Sequence, residues 1–96
     1  MNRYILCSAI WYDDGNIYPH QPINIKTGLV LCGWRHHNII TQASVLKISA
    51  NNQVQGFLTN DNRFVNRAQA KVIALKSGQT TVDKMISSTL TSEDLW

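Results

Sequence analysis

The sequence predicts an α+β domain in which a small antiparallel β-sheet is covered by two helices. Its 96 residues, 44% of them apolar, fit a single domain that spans residues 1–96. Segments rich in β-branched and aromatic residues alternate with segments of helical periodicity. The predicted strands lie near residues 3–12, 29–33 and 53–59, and the predicted helices lie near residues 36–47 and 66–77.

The first strand ends at the turn sequence of residues 13–16, where an Asp-Gly pair tolerates positive φ. The following stretch contains Pro19 and Pro22, which remove backbone donors and disfavour both a helix and a central strand. We therefore expect an extended loop, in which residues 23–25 could add an edge strand.

The first helix is predicted from the spacing of Ile39, Ile40, Ala43 and Leu46, which places them on one face. The stretch of residues 53–59 alternates like a strand and is followed by a polar turn at residues 60–62.

The second helix has the clearest boundaries. Asn66 is its predicted N-cap, Gln69 completes a capping box, and Val65 is placed to pack against Ala70. Gly78 is the predicted left-handed terminator. Beyond it, Val82, Met85, Ile86 and Leu90 are apolar and available for packing.

Composition limits the class of function. Charged residues are only 16% of the chain, compared with about 25% in a typical domain, and the net charge is +3. Asn, Gln, Ser and Thr make up about three tenths of the residues, which favours recognition by hydrogen bonds. We expect no membrane segment and no specific DNA or RNA partner, because there is neither a long apolar run nor a basic stripe.

Cys7 and Cys32 both lie in apolar runs, which is typical of buried thiols that stay reduced in a cytosol. Together with His36 and His37 they supply zinc-ligand chemistry, but the spacing lacks a paired ligand motif, so we predict no metal and no other cofactor. The sequence also has no phosphate loop, nucleophile elbow or carboxylate pair, and we predict that the protein is not an enzyme.

Three groups of residues are candidates for ligand binding. Arg35, His36 and His37 lie at a strand-to-helix junction, where an arginine fork and helix amides suit a phosphate. The alternative is that they are surface or structural residues.

The second group follows the third strand. Thr59, Arg63 and Arg67 offer a hydroxyl and two guanidinium groups, and Phe64 offers a ring on which a base could stack. The alternative places Phe64 in the core. The third group consists of Trp11, Tyr12, Tyr18 and Trp34, which could contact a purine or fill the core.

Several motifs, taken in order, resemble a known family. They include Gly33-Trp34-Arg35-His36-His37, Gly56-Phe57-Leu58-Thr59, Arg63-Phe64-Val65-Asn66-Arg67 and Ser92-Glu93-Asp94-Leu95. This succession is similar to small bacteriophage immune-evasion proteins, the nucleotide sponges called Thoeris anti-defence one and anti-CBASS four. The length of the chain is more similar to the anti-CBASS branch.

The resemblance implies a phage protein that sequesters a cyclic nucleotide immune signal in the cytoplasm of the infected bacterial host. It implies a homo-oligomer, with a tetramer favoured over a dimer or hexamer, and ligand pockets at subunit boundaries. A cyclic dinucleotide such as 3′,3′-cGAMP is the favoured ligand, and a cyclic ADP-ribose isomer is the alternative. The residues that it implies as ligand contacts are Arg35, His36, His37, Thr59, Arg63, Phe64 and Arg67, and to these we add Trp11 from its position at the end of a strand.

Three other functions stay open at this point. A phosphodiesterase would use His36 or His37 as acid and base. A general nucleic-acid-binding module would need more positive charge than this chain carries. An interaction protein without a small ligand would need none of the candidate contacts.

Overall fold

The structure is a computed structural model that describes residues 3–48, residues 53–81 and Leu95. The described residues form a four-stranded antiparallel sheet in the order β2-β1-β3-β4 with two helices packed on it, which confirms the predicted α+β fold. In chain order the elements are β1 (Ile5–Tyr12), β2 (Leu29–Gly33), α1 (His36–Val45), β3 (Gln53–Thr59), β4 (Phe64–Asn66) and α2 (Arg67–Ser77).

Strand register gives the sheet two distinct faces. Ile10 lies opposite Leu31 on β2 and Gln55 on β3, and Phe57 lies opposite Ser8 on β1 and Val65 on β4. Because side chains alternate along a strand, these residues share one face, which we call the helix face. The other face, here called the outer face, carries Cys7, Ala9, Trp11, Val30, Cys32, Val54, Gly56, Leu58 and Phe64.

Most of the core lies between the helix face and the two helices, and Ala9 and Phe64 are buried on the outer face. Under α2, a cluster joins Ile5, Phe57, Val65, Ala70 and Ala74. Under α1, a second cluster joins Ile10, Tyr12, Ile39 and Ala43. The core on the helix face is therefore divided into two clusters, one under each helix.

The inward face of α1 differs from the prediction. Of the four residues that the sequence placed on one face, Ile39 and Ala43 are buried, whereas Ile40 is 43% exposed and Leu46 is 64% exposed. The third buried residue of the helix is His36. Leu46 falls outside because α1 ends at Val45, and Ile40 lies one position away from the stripe formed by residues 36, 39 and 43.

The caps of α2 are those that the sequence predicts. The Asn66 side chain accepts a hydrogen bond from the backbone N–H of Gln69 at 2.8 Å, and the Gln69 side chain accepts one from the backbone N–H of Asn66 at 3.0 Å. Val65 and Ala70 share a core cluster. Gly78 ends the helix at φ +79°, a conformation that glycine adopts without strain.

Two local predictions were incomplete. The short strand β4 was expected as part of a turn and a helix cap, and residues 23–25 do not form a strand. Instead, the side-chain amide of Asn24 pairs with the edge of β4, accepting from the Phe64 backbone N–H at 2.9 Å and donating to its carbonyl at 2.7 Å. The Asn24 side chain thus makes the hydrogen bonds to the Phe64 backbone that a neighbouring strand would have made.

The loop between β1 and β2 returns across the end of the outer face. Trp11 Nε1 donates to the carbonyl of Thr27 at 2.9 Å, and Gly28 follows with φ +91°. A Cβ at Gly28 would lie 2.4 Å from Trp11 Nε1, so this close approach requires glycine.

The packing that we predicted for Val82, Met85, Ile86 and Leu90 lies outside the described residues. Among the helices of the described ranges, none is long and apolar enough to cross a membrane.

Candidate functional site

The first residues of both helices meet over the middle of β3. His36 begins α1 and contacts Gly56, while Arg67 begins α2 and contacts Gln55. Gln55 and Gly56 are adjacent on β3, so the N-terminal ends of the two helices converge there. We call His36, Gln55 and Arg67 the interhelix site. Helix N-termini carry partial positive charge and orient backbone N–H groups outward, so two of them together favour an anion.

Arg67 is the cation of this site. Its Nη2 donates to Gln55 Oε1 at 2.5 Å, which fixes the guanidinium over β3. Its Nε is buried and has no hydrogen-bond partner among the residues that the structure describes. A buried N–H without an acceptor is unfavourable by about 1 to 3 kcal/mol, and a charged one by more, so this geometry favours an added acceptor oxygen.

His36 is held as a neutral imidazole. Its Nε2 lies 2.8 Å from the carbonyl oxygen of Gly56, so Nε2 carries the proton and donates. The ring packs edge-on against Phe57 with 5.2 Å between centroids. Burial lowers the pKa of His36, and the charge of Arg67 lowers it further, while the hydrogen bond to Gly56 opposes both. The lowered pKa favours the neutral form at neutral pH, and in that form Nδ1 is the acceptor nitrogen.

The two residues on either side of His36 are less buried. Arg35 is the N-cap residue of α1, is half-buried, and donates from its backbone N–H to Asn38 Oδ1 at 3.1 Å. His37 is exposed. The consecutive Arg-His-His sequence therefore presents one buried imidazole and two groups near the surface.

Thr59 and Arg63 form part of the turn between β3 and β4. Thr59 is fully buried, and its hydroxyl contacts the Asp61 carboxylate and accepts from the Arg63 backbone N–H at 3.2 Å. Asp61 Oδ2 lies 3.3 Å from Arg63 Nε and 3.0 Å from Arg3 Nη2. The hydroxyl of Thr59, followed by Arg3, lowers the pKa of Asp61. This carboxylate partly neutralises the Arg63 charge that was predicted to hold a phosphate.

Trp11 and Phe64 are neighbours on the outer face. Their ring centroids are 6.1 Å apart with an interplanar angle of 58°. Phe64 is only 6% exposed, and its ring covers Gly56, where an added Cβ would lie 2.7 Å from Cζ. This conformation favours the core role of Phe64, and its predicted role as a stacking platform stays a prediction.

The predicted contacts therefore form separate groups. His36 and Arg67 are together on the helix face, Trp11 and Phe64 are together on the outer face, and Thr59 and Arg63 are together in the turn. Their roles in ligand binding stay predictions. Gln55 was missed, although strand alternation places it on the same face as Phe57, and a polar residue at such a position is a signal for a buried hydrogen-bonding role.

Cys7 and Cys32 lie on the outer face, so the sheet separates them from His36 on the helix face. In the ranges that the structure describes, no three metal-ligating side chains come together. The four residues considered as zinc ligands thus do not share a site within one chain.

The fold and the interhelix site define a small α+β protein with polar groups at the convergence of two helix N-termini. A family model described as phage T4 y16D protein matches residues 4–96, nearly the whole chain. The chain belongs to this family of phage proteins. No curated protein and no solved structure matches it.

Proposed function

We propose that this phage protein binds a cyclic nucleotide immune signal of its bacterial host and holds it without cleaving it, so that the host defence effector stays inactive. The observation that carries this proposal is the Arg67 guanidinium, fixed by Gln55 with its Nε buried and lacking an acceptor among the described residues. A phosphodiester oxygen supplies the missing acceptor and the matching charge.

The surroundings of Arg67 suit a phosphate bound within a ring-shaped nucleotide. Two helix N-termini converge beside it, and the positive ends of the helix dipoles favour the same anion. The neutral imidazole of His36 offers Nδ1 as an acceptor, which suits a ribose hydroxyl or a base N–H. This combination needs few full charges, in keeping with a chain that has only 16% charged residues.

Sequestration is favoured over hydrolysis by the state of His36. A catalytic acid and base must exchange protons near neutral pH. His36 is buried, its pKa is lowered, and its Nε2 proton is committed to the Gly56 carbonyl. His37 is exposed and adjacent in sequence, so it does not form a facing pair with His36.

The separation of the predicted contacts onto two faces favours pockets shared between subunits. The sheet lies between the outer-face groups and the interhelix site of one chain, whereas a ligand between two chains can meet one group from each. Large apolar side chains are available to an interface, including Trp34 at 61% exposure and Val45 at 76%. We therefore propose a homo-oligomer in which a single chain supplies only part of each pocket.

The test is to incubate the purified full-length chain with 3′,3′-cGAMP, cyclic trinucleotides and cyclic ADP-ribose isomers in separate reactions. After free nucleotide is removed, the protein is heated and the released compound is identified by mass spectrometry. We expect intact 3′,3′-cGAMP. Release of an intact cyclic ADP-ribose isomer would keep sequestration and change the ligand, whereas linear products or no capture would contradict the proposal.

Arg67→Ala is expected to weaken binding by about 1.5 to 3 kcal/mol, which is roughly 10- to 150-fold in Kd. Arg67→Lys keeps the charge but loses the planar fork, so we expect an intermediate loss. Lys26→Ala is the matched control, because it removes an exposed positive charge from the loop between β1 and β2. Arg35→Ala is expected to weaken binding by about 1.5 to 3 kcal/mol if Arg35 holds a second phosphate. Equal affinity in the Arg67→Ala, Arg67→Lys and Lys26→Ala variants, with unchanged circular dichroism spectra, would place the phosphate elsewhere.

A further inference from the structure

The two cysteines lie side by side on the outer face of neighbouring strands. Cys32 of β2 is directly opposite Ala9 of β1, and Cys7 precedes Ala9 by two residues, so Cys7 and Cys32 are diagonal neighbours on one face. Diagonal neighbours on antiparallel strands lie about 7 to 8 Å apart between Cα atoms and closer between side chains, so the two thiols can approach each other. Cys32 is exposed and Cys7 is half-buried, so the prediction that both are buried thiols is wrong for Cys32.

The neighbouring thiol shifts the two pKa values in opposite directions. Hydrogen bonding with Cys32 lowers the pKa of Cys7 against the effect of burial, whereas hydrogen bonding with Cys7 and burial both raise the pKa of Cys32. Both directions favour Cys7 as the thiol that ionises first. Two adjacent thiols on one sheet face, one of them exposed, have the arrangement of a redox-sensitive dithiol.

We propose that Cys7 and Cys32 are an oxidation site that closes to a disulfide between β1 and β2 when the protein meets a hydroperoxide. The Cys7 thiolate attacks the peroxide oxygen, the O–O bond breaks, and hydroxide leaves, which gives a sulfenic acid. Cys32 sulfur then attacks Cys7 sulfur, the S–O bond breaks, and water leaves with the Cys32 proton. With hydrogen peroxide, two thiols and one peroxide give one disulfide and two waters.

The bond would close at the end of the β1–β2 pair that leads into α1. Cys32 is followed by Gly33 and Trp34, and the Trp34 carbonyl already accepts from the Ser8 hydroxyl at 3.1 Å. A covalent link between residues 7 and 32 would hold the segment between β2 and α1 against β1. It would also reduce the conformational entropy of the unfolded chain. The proposal is independent of the proposed function, because it rests on the positions of Cys7 and Cys32 in β1 and β2 and involves none of the predicted ligand contacts.

The test is to treat the reduced full-length protein with hydrogen peroxide and measure its intact mass after alkylation with iodoacetamide under denaturing conditions. We expect a monomer lighter than the reduced protein by about 2 Da that takes up no alkyl group and is restored by dithiothreitol. We also expect the oxidised protein to melt at least about 5 °C higher than the reduced one.

Cys7→Ser and Cys32→Ser are the matched controls, and neither is expected to give the alkylation-resistant monomer. The proposal is wrong if the peroxide-treated wild type still takes up two alkyl groups, or if it forms cross-linked dimers through Cys32. It is also wrong if one cysteine proceeds to sulfinic acid without a disulfide. A disulfide that lowers Tm would likewise contradict it, because the bond would then be incompatible with the strand register.

Discussion

Replacing Phe64 by alanine should destabilise the fold strongly. Phe64 is 6% exposed, and its ring lies over Gly56 and against Trp11. Truncation of a buried phenylalanine lowers the free energy of unfolding by about 3 to 5 kcal/mol, depending on how far the cavity collapses. Here collapse is restricted, because Gly56 has no side chain and the hydrogen bond of Trp11 to Thr27 holds the neighbouring ring. We therefore expect about 4 kcal/mol, a large fraction of the stability of a small domain.

Urea denaturation followed by circular dichroism measures this loss directly. Phe64→Leu is the matched control, since it keeps an apolar side chain over Gly56, and we expect it to lose only about 1 to 2 kcal/mol. A loss below about 1.5 kcal/mol for Phe64→Ala, well short of a buried truncation, would refute the core role. Retained stability combined with lost nucleotide binding would establish the stacking role that the sequence suggested.

Three further predictions concern the interior and the helix caps. In Gly56→Ala the new Cβ would lie 2.2 Å from the Val65 carbonyl oxygen, so we expect a loss of about 3 kcal/mol in urea denaturation; a loss below about 1 kcal/mol would contradict this close contact. Asn66→Ala removes the cap bond to Gln69 and should lower the free energy of unfolding by about 1 kcal/mol, whereas Asn66→Ser should stay within a few tenths of wild type. Equal losses in both cap variants would show that the cap bond contributes nothing. The pKa of His36 is lower in the folded protein than its ordinary value of 6.5, so at a pH near that value the unfolded chain binds more protons than the folded one. Tm should therefore fall as the pH is lowered from 7.5 to 5.5. His36→Gln should reduce that slope, and parallel pH profiles would contradict the burial of a neutral imidazole.

Local sequence patterns were sufficient for most element boundaries. The capping box of α2 and its terminal glycine depend on interactions within a few residues, which is why Asn66, Gln69 and Gly78 could be assigned in advance. β4 was missed because it has three residues and owes its form to pairing with β3 and with the Asn24 side chain, 40 residues away from Phe64. No local pattern carries that contact.

The candidate site was predicted residue by residue but not as an arrangement. The sequence identified His36 and Arg67 as candidates, and the structure adds Gln55, which lies between them on β3. Thr59 and Arg63 had the expected polar character, but Asp61 was not expected to bind both Thr59 and Arg63 in the same turn. The sequence does not show that the Asp61 carboxylate lies beside Arg63, because that contact depends on the folded conformation of the turn.

The sequence alone determined the α+β class, the caps of α2 and the polar, weakly charged character of the chain, since these follow from periodicity, short-range hydrogen bonding and composition. Only the tertiary structure decided which side of the sheet each candidate residue occupies. It placed His36 and Arg67 together on the helix face, and Trp11 and Phe64 together on the outer face. The physical reason is that strand register and helix docking arise from packing between distant segments, and a shift of one residue in register would exchange the two faces.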